Sequence, residues 1–334
     1  MHICLFHDSE LPPQHYGGIE RIVVALADEY KARGHRVSVL CKKGSKLPGV
    51  NTIEVPDGRF ENIDDVIPKD VDMIHSHQPL LNEPKTNYLI TIHGNGHKGE
   101  KYFSNTNFLS RSHGRNHNSN IFVFNGVDPK RYTFVEKKQD YFIFLARTTW
   151  RVKNLKTAIA WANDLGVHLK IIGGNGISRG KIEYLGFVDD NVKNEVLGNA
   201  RALIYPTNWD EPCAGAPLEA LACGTPVIST RNGCMPEMVT NETGVLCDTY
   251  SELLGAPIKL EKISTKKCRE KAEYEFSVGR MATDYLELFD RITNLGNLVD
   301  DDHLPKYGFK KSSVRFLYKP TIVNKFRLGL LGKV

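Results

Sequence analysis

Two glutamates eight positions apart, Glu211 and Glu219, flank a loop of small residues that leads into a helix. Pro217 suits the first position of that helix, where its missing N–H is no loss, and Gly215 and Ala216 then lie at the helix N-terminus. Unpaired N–H groups there favour an anion such as phosphate. We expect Glu219 in the first turn, facing ribose-like hydroxyls, and Glu211 facing those of a sugar. The pattern favours a nucleotide-activated sugar. The alternative interpretation is a helix whose dipole is complemented by two acids.

The bulk composition predicts a soluble globular protein. The chain has 334 residues, enough for two domains, with 41% hydrophobic and 25% charged residues. No apolar run approaches the roughly 20 residues needed to span a bilayer. The first residues are typical of a buried strand, not of a signal peptide. Seven cysteines without a C-x-x-C pair predict reduced packing thiols in a cytoplasmic protein.

The positive charge is concentrated at the end of the chain. Residues 303–334 contain eight Lys or Arg and no Asp or Glu; removing these eight from the 44 basic residues leaves 36 against 39 acidic ones. This distribution argues against a general nucleic-acid binder. The basic, partly apolar tail suits peripheral contact with an anionic membrane surface, which would place the protein at the inner face of the membrane. Packing onto the first domain, or partial disorder, is the alternative.

Strands and helices alternate along the chain, which predicts parallel sheets with helices on both faces. Turn residues at 125–129 and a charged stretch at 136–140 mark a domain boundary. We therefore expect a first domain at 1–137, a second at 138–280, a helix at 281–300 that crosses back to the first domain, and a tail at 301–334. Strands are predicted at 3–6, 37–41, 52–55, 72–75, 88–92, 121–124, 141–146, 168–172, 182–185, 202–205, 226–229 and 244–246.

These residues together resemble glycosyltransferase family 4, whose fold is GT-B: an α/β architecture of two doubly wound, Rossmann-like domains that face a central cleft. The resemblance covers about residues 1–292. Its strongest part is the E-x7-E motif at 211–219 with the following residues 220–228. The supporting motifs lie at 17–20, 92–94, 125–128, 146–147, 153–154, 186–188 and 232–237.

The resemblance implies that the first domain binds the acceptor and the second binds a nucleoside diphosphate sugar, UDP- or GDP-linked. It implies hexosyl transfer with retention at the anomeric carbon, to a hydroxyl of a glycan, a lipid-linked or a small-molecule acceptor, in cell-surface polysaccharide or glycoconjugate synthesis. It implies neither a covalently bound cofactor nor a catalytic metal.

The same resemblance assigns roles to residues. Arg147 and Lys153 would grip the donor diphosphate, Glu219 would bind ribose hydroxyls and Glu211 hydroxyls of the donor sugar. His93 would lie beside the reacting sugar as a hydrogen-bonding group. The remaining donor-site residues are those that bring backbone close to the phosphates or the base: Gly17, Gly18, Gly215, Ala216, Phe187 and Val188.

Two features qualify these expectations. Cys213 and Ala214 stand where family members often have Phe and Gly, which leaves the donor sugar open. His113 and His117 have helical spacing for a shared metal, but residues 114–116 are typical of a loop, so no metal site is predicted. A nucleotide-sugar epimerase, a phosphorylase of the same fold and a non-catalytic nucleotide-sugar binding protein are the alternative functions.

Overall fold

The computed structural model describes residues 1–13, 17–55, 60–97 and 100–298. The residues of the predicted tail, 301–334, lie outside this part, and so does the membrane contact expected of them. All seven cysteines are free thiols, and six of them are buried. Among the described residues no helix is both long enough and apolar enough to cross a membrane.

The first half of the chain forms a six-stranded parallel sheet in the order β3-β2-β1-β4-β5-β6. Every residue of β1, β4 and β5 is buried, as expected for parallel strands covered on both faces. The order reverses between β1 and β4, which opens a crevice at their carboxyl ends. The strands are β1 His2–His7, β2 Arg36–Cys41, β3 Asn51–Glu54, β4 Met73–Ser76, β5 Tyr88–Thr91 and β6 Thr106–Asn107.

The second half repeats the plan with six parallel strands in the order β12-β11-β10-β7-β8-β9. Here the order reverses between β7 and β10, which are hydrogen-bonded neighbours. The carboxyl ends of these two strands therefore meet at one edge, where ligands bind in open α/β sheets. The strands are β7 Phe142–Leu145, β8 Leu169–Ile172, β9 Ile182–Gly186, β10 Ala202–Tyr205, β11 Val227–Thr230 and β12 Gly244–Cys247.

The helices cover both faces of the sheets. They are α1 Gly18–Ala32, α2 Arg111–Asn116, α3 Leu155–Leu165, α4 Asp190–Asn199, α5 Gly215–Ala222, α6 Met235–Met238, α7 Tyr250–Lys259, α8 Thr265–Glu275 and α9 Val278–Leu295. The last helix, α9, follows the second sheet in the chain but buries Met281, Tyr285 and Phe289 in the same core as Leu26 and Tyr30 of α1. The chain thus returns to the first sheet. The whole arrangement is the predicted α/β architecture of two doubly wound sheets.

Three local predictions were wrong. Residues 121–124 form no strand beyond a bridge between Phe108 and Phe122, because their partner β6 is only two residues long. The charged sequence from about Ser264 to Ile292 also predicts one helical region, but the structure interrupts it, since Ser277 caps a new helix by accepting from the Arg280 N–H. Residues 113–116 lie in α2 and not in a loop: Ser110 caps it.

The helix after the E-x7-E loop also begins earlier than expected. α5 starts at Gly215, so Pro217 is its third residue and Glu219 lies beyond the first turn. Its N-cap, Ala214, makes no side-chain hydrogen bond, so the usual sequence signal for a helix start is absent.

Candidate active site

The loops that follow β7 and β10 bring the predicted donor-site residues to one edge of the second sheet. Arg147 follows β7 by two residues, and Lys153 closes a short 3-10 turn in the same loop. Glu211 lies in the loop after β10. Because β7 and β10 are neighbouring parallel strands, both loops leave the sheet on the same side.

The centre of this edge is a buried ion pair. The Nζ of Lys153 lies 2.7 Å from Oε1 and 2.9 Å from Oε2 of Glu211, and the two residues are only 7% and 2% exposed. Glu211 Oε1 also accepts hydrogen bonds from the Tyr205 hydroxyl at 3.0 Å and the Thr207 hydroxyl at 2.8 Å. Charges taken out of water need this degree of pairing, because an unmatched buried charge is costly.

Aromatic rings surround the ammonium group of Lys153. Its Nζ lies 4.7 Å from the ring centroid of Trp209, 5.4 Å from that of Tyr205 and 5.8 Å from that of Trp150. The guanidinium carbon of Arg147 lies 5.8 Å from the same Trp150 ring. Ring faces stabilise cations at such distances. Arg147 itself is exposed, so the edge presents one exposed and one buried cation.

The backbone of Glu211 is fixed from behind by residues 233–234. The Glu211 carbonyl accepts the N–H of Cys234 at 2.8 Å. Gly233 adopts φ +61°, and a Cβ added there would collide with the backbone N and O of Glu211. Only glycine fits this approach, which gives the predicted motif at 232–237 a physical role.

Glu219 is held by a second set of charges. Its Oε2 lies 3.0 Å from the Nζ of Lys193, which is also 3.1 Å from Oδ1 of Asp190. Asp190 in turn pairs with Arg21 of α1 at 2.6 Å. These four residues, the charge ladder, run from the second sheet to the first.

The first sheet presents Gly17, Gly18 and His93 on its side. Gly17 caps α1, and a Cβ there would lie 2.6 Å from the ring of Pro13, whereas Gly18 borders open space. Asn95, two residues after His93, donates from Nδ2 to the carbonyl of Asp210 at 2.7 Å. The loop after β5 therefore contacts the loop that carries Glu211.

His93 belongs to a row of three histidines. Its Nε2 lies 3.0 Å from Nδ1 of His77, and the His77 ring lies 4.3 Å from that of His75 between centroids. Burial, with the nearby His7 and His113, lowers the pKa of His93 to about 3. Burial, with His93, likewise lowers the pKa of His75 to about 3. His93 is therefore neutral near pH 7 and suited to hydrogen bonding.

The remaining predicted residues lie around this edge without a contact that fixes their role. Phe187 follows β9 and is 63% exposed, and Val188 packs partly against the second core. Gly215 is exposed and Ala216 half-buried at the start of α5.

Of the two histidines with helical spacing, His113 lies in α2 and makes hydrogen bonds of its own. His113 accepts the Leu109 N–H at Nδ1 and donates from Nε2 to the Gly94 carbonyl. Within the described part of the chain there is no group of three or more His, Cys, Asp or Glu side chains that could hold a metal ion.

Sequence reasoning missed the residues that support the two glutamates. Tyr205 and Thr207 were visible only as the end of a strand, and Trp150 and Trp209 carried no motif. Lys193 lies on a helix whose charged residues are typical of a solvated face, so only the fold places it beside Glu219.

A family model described as "Glycosyl transferases group 1" matches residues 128–274. Over that range this chain is a group 1 glycosyltransferase domain. The match contains β7 to β12 and every residue of the second sheet that the sequence predicts for the donor site, including Arg147, Lys153, Glu211 and Glu219.

Curated relatives of this glycosyltransferase domain agree with the family. A probable sucrose-phosphate synthase of Thermosipho melanesiensis is 35% identical over 96 residues, which are 27% of this chain and 22% of the relative. A GDP-mannose-dependent phosphatidylinositol dimannoside mannosyltransferase of Mycobacterium tuberculosis is 28% identical over 113 residues, which are 30% and 29% of the two chains. The matches thus span less than a third of either relative's length.

Solved structures extend the likeness to the whole fold. AviGT4, a glycosyltransferase involved in avilamycin A biosynthesis, superposes with a TM-score of 0.72 at 23% identity over 88% of this chain and 98% of its own. The sucrose-phosphate synthase of Thermosynechococcus elongatus gives 0.68 at 17% identity over 88% and 99%. Anabaena HepE, solved in complex with UDP and glucose, gives 0.64 at 14% over 87% and 99%. The architecture is GT-B, as predicted.

Replacing Gly233 by alanine tests the support behind Glu211. A non-glycine residue in the left-handed region costs roughly 1–2 kcal/mol. We expect G233A to lower the free energy of unfolding by more than this, because the Glu211 backbone must also move. G180A is the matched control: Gly180 has the same φ of +61° but no heavy atom within 4 Å of an added Cβ. Urea unfolding of both variants measures the difference, and equal losses would contradict the proposed support.

The buried histidines predict loss of stability in acid. The folded-state pKa values of His75 and His93 lie near 3, below the ordinary 6.5, so unfolding takes up protons between these values. The free energy of unfolding therefore falls as pH drops below about 6.5, by about 1.4 kcal/mol per pH unit for each proton. Urea unfolding at pH 7.5, 6.0 and 5.0 should show that the free energy of unfolding falls less steeply with decreasing pH for H75Q than for the wild type. The exposed control H97Q should keep the wild-type slope. Parallel slopes for all three proteins would refute this origin.

Proposed function

We propose that this chain is a retaining hexosyltransferase that moves a sugar from a nucleoside diphosphate donor to an acceptor hydroxyl. The observation that carries the proposal is the buried Lys153–Glu211 pair beside exposed Arg147, at the edge where β7 and β10 end. The family match over residues 128–274 supports the same donor site. The acceptor is a glycan, a lipid-linked or a small-molecule hydroxyl compound, in cell-surface polysaccharide or glycoconjugate synthesis, and the enzyme acts in the cytoplasm.

The diphosphate is assigned chiefly to Arg147. This side chain is exposed at the edge, and a guanidinium can bind two phosphate oxygens at once. Lys153 is buried and already donates to Glu211 and Tyr205. It therefore adds positive potential on the inner side of the site and holds the Glu211 carboxylate in place for the sugar hydroxyls. The N-terminus of α5, with Gly215 and Ala216, adds N–H groups on the same side.

The chemical step needs stabilisation of the leaving group more than a nucleophile. The bond between the anomeric carbon and the phosphate oxygen breaks, and the acceptor oxygen bonds to the same face of that carbon. The acceptor proton passes to the departing phosphate oxygen, so the reaction balances without a covalent intermediate or a metal. Preorganised cations act strongly on the growing phosphate charge in a site with little water. Neutral His93 donates or accepts a hydrogen bond at the sugar, as its lowered pKa favours.

Donor binding can be measured before any acceptor is known. UDP, GDP, ADP and their sugars should be screened by thermal shift, since a ligand that binds the folded state raises its stability by about 2.7 kcal/mol at 100 times its dissociation constant. One base should stabilise the protein well above the others. Release of the matching nucleoside diphosphate in the presence of acceptors then reports turnover. Absence of stabilisation by every nucleotide would contradict the proposal.

Replacing Arg147 and replacing Lys153 should have different effects on turnover and stability. R147A should lower kcat by the equivalent of roughly 2–4 kcal/mol with little change in stability, because an exposed transition-state contact is lost. K153M should lower both kcat and the free energy of unfolding. The free energy of unfolding should fall by roughly 3–5 kcal/mol, because Glu211 stays buried without its partner. Nucleotide release and urea unfolding measure the two effects.

Arg151 supplies the matched control for Arg147. It is exposed in the same loop, four residues further on, and R151A should keep wild-type turnover and stability. A fully active R147A enzyme would overturn the assignment of the diphosphate.

A further inference from the structure

The charge ladder contains one lysine that the family motifs do not include. Lys193 is the fourth residue of α4, and its side chain is only 13% exposed. Its Nζ lies 3.0 Å from Oε2 of Glu219 and 3.1 Å from Oδ1 of Asp190. A buried ammonium between two carboxylates stays charged: burial alone would lower the pKa of Lys193, but Glu219 and Asp190 outweigh it and raise the pKa.

We propose that Lys193 is a positioning residue for the ribose of the donor. This inference rests on the proposed function and adds the residue that makes Glu219 able to select ribose. A carboxylate has two oxygens and about four acceptor sites, so Glu219 can keep its ion pair with Lys193 through Oε2 and still accept hydrogen bonds from ribose hydroxyls at its remaining acceptor sites. The ion pair fixes the position of this carboxylate.

Charge balance gives Lys193 a second effect on the same ligand. Glu219 lies on α5, whose first residues are assigned to the diphosphate, and an unpaired carboxylate there would repel that anion. Lys193 offsets the charge of Glu219 in a site where little water screens it. Asp190 fixes Lys193 in turn, because it bridges Lys193 of its own helix and Arg21 of α1. Lys193 therefore acts on ribose selection through Glu219, whereas its effect on the diphosphate is shared by the ribose and dideoxyribose nucleotides and cancels in their ratio of affinities.

The test compares ribose with 2′,3′-dideoxyribose. Calorimetry measures the affinity of the full chain for UDP, GDP and ADP and for their 2′,3′-dideoxy forms. Wild-type protein should bind the preferred ribose form on the order of tenfold more tightly than its dideoxy form, as expected for hydrogen bonds to a charged acceptor. E219Q should lose most of this ratio of ribose to dideoxyribose affinity. K193M should lose most of it as well, although the ribose contact residue is intact, and K193R should recover it.

The matched control is K271M. Lys271 is also a largely buried lysine paired with a glutamate, Glu275 of α8, but it lies outside the site. K271M should keep the wild-type ratio. If K193M kept the wild-type ratio of ribose to dideoxyribose affinity while E219Q lost it, the role of Lys193 would be overturned and the proposed function would stand. No binding of any nucleotide by the wild type would overturn both.

A purely structural role for Lys193 has its own signature. Thermal unfolding of K193M and of the polar variant K193Q shows whether the fold survives. A folded K193Q with a reduced ribose ratio supports the inference. Failure of both variants to fold would assign Lys193 to stability alone and overturn it.

Discussion

The buried ion pair between Lys153 and Glu211 is the interaction on which the site depends. A buried charge without its partner is costly, so each of the two side chains fixes the other's position. The surrounding hydroxyls of Tyr205 and Thr207 satisfy the carboxylate, and Gly233 lets a second loop support its backbone. The loops after β7, β10 and β11 are thereby locked together at one edge of the sheet. Such a rigid edge is what a site for a charged leaving group requires, because its dipoles must be in place before the reaction.

This constraint explains why the two predicted cations differ. Both Arg147 and Lys153 were expected from the sequence to grip the diphosphate. In the structure one is exposed and the other is committed to Glu211. The proposed division into a ligand contact, Arg147, and an internal support, Lys153, follows from burial, which no spacing of residues reveals. Glu219 has a separate support in Lys193, so each glutamate of the E-x7-E motif has its own lysine.

The sequence was most informative where chemistry leaves a local pattern. Alternation of buried strands and helices predicted both parallel sheets, and the small residues between the two glutamates predicted a loop that leads into a helix, α5. It failed where tertiary contacts replace local signals. α5 begins at Gly215 after an N-cap, Ala214, that has no capping side chain, and β6 is two polar residues paired beside β5. α2 contains Gly114 because a Cβ there would lie 2.6 Å from the Ser119 carbonyl oxygen. Lys193 and Glu219 are far apart in the chain, so their pairing depends on how α4 packs against α5.

In the proposed function, the donor diphosphate binds at the edge formed by β7 and β10. A crystal structure with the nucleoside diphosphate that stabilises the protein most is the direct measurement. It should show phosphate oxygens at about 3 Å from the Arg147 guanidinium, ribose hydroxyls on Glu219 and an intact Lys153–Glu211 pair. A diphosphate bound away from Arg147 and the start of α5 would contradict the account.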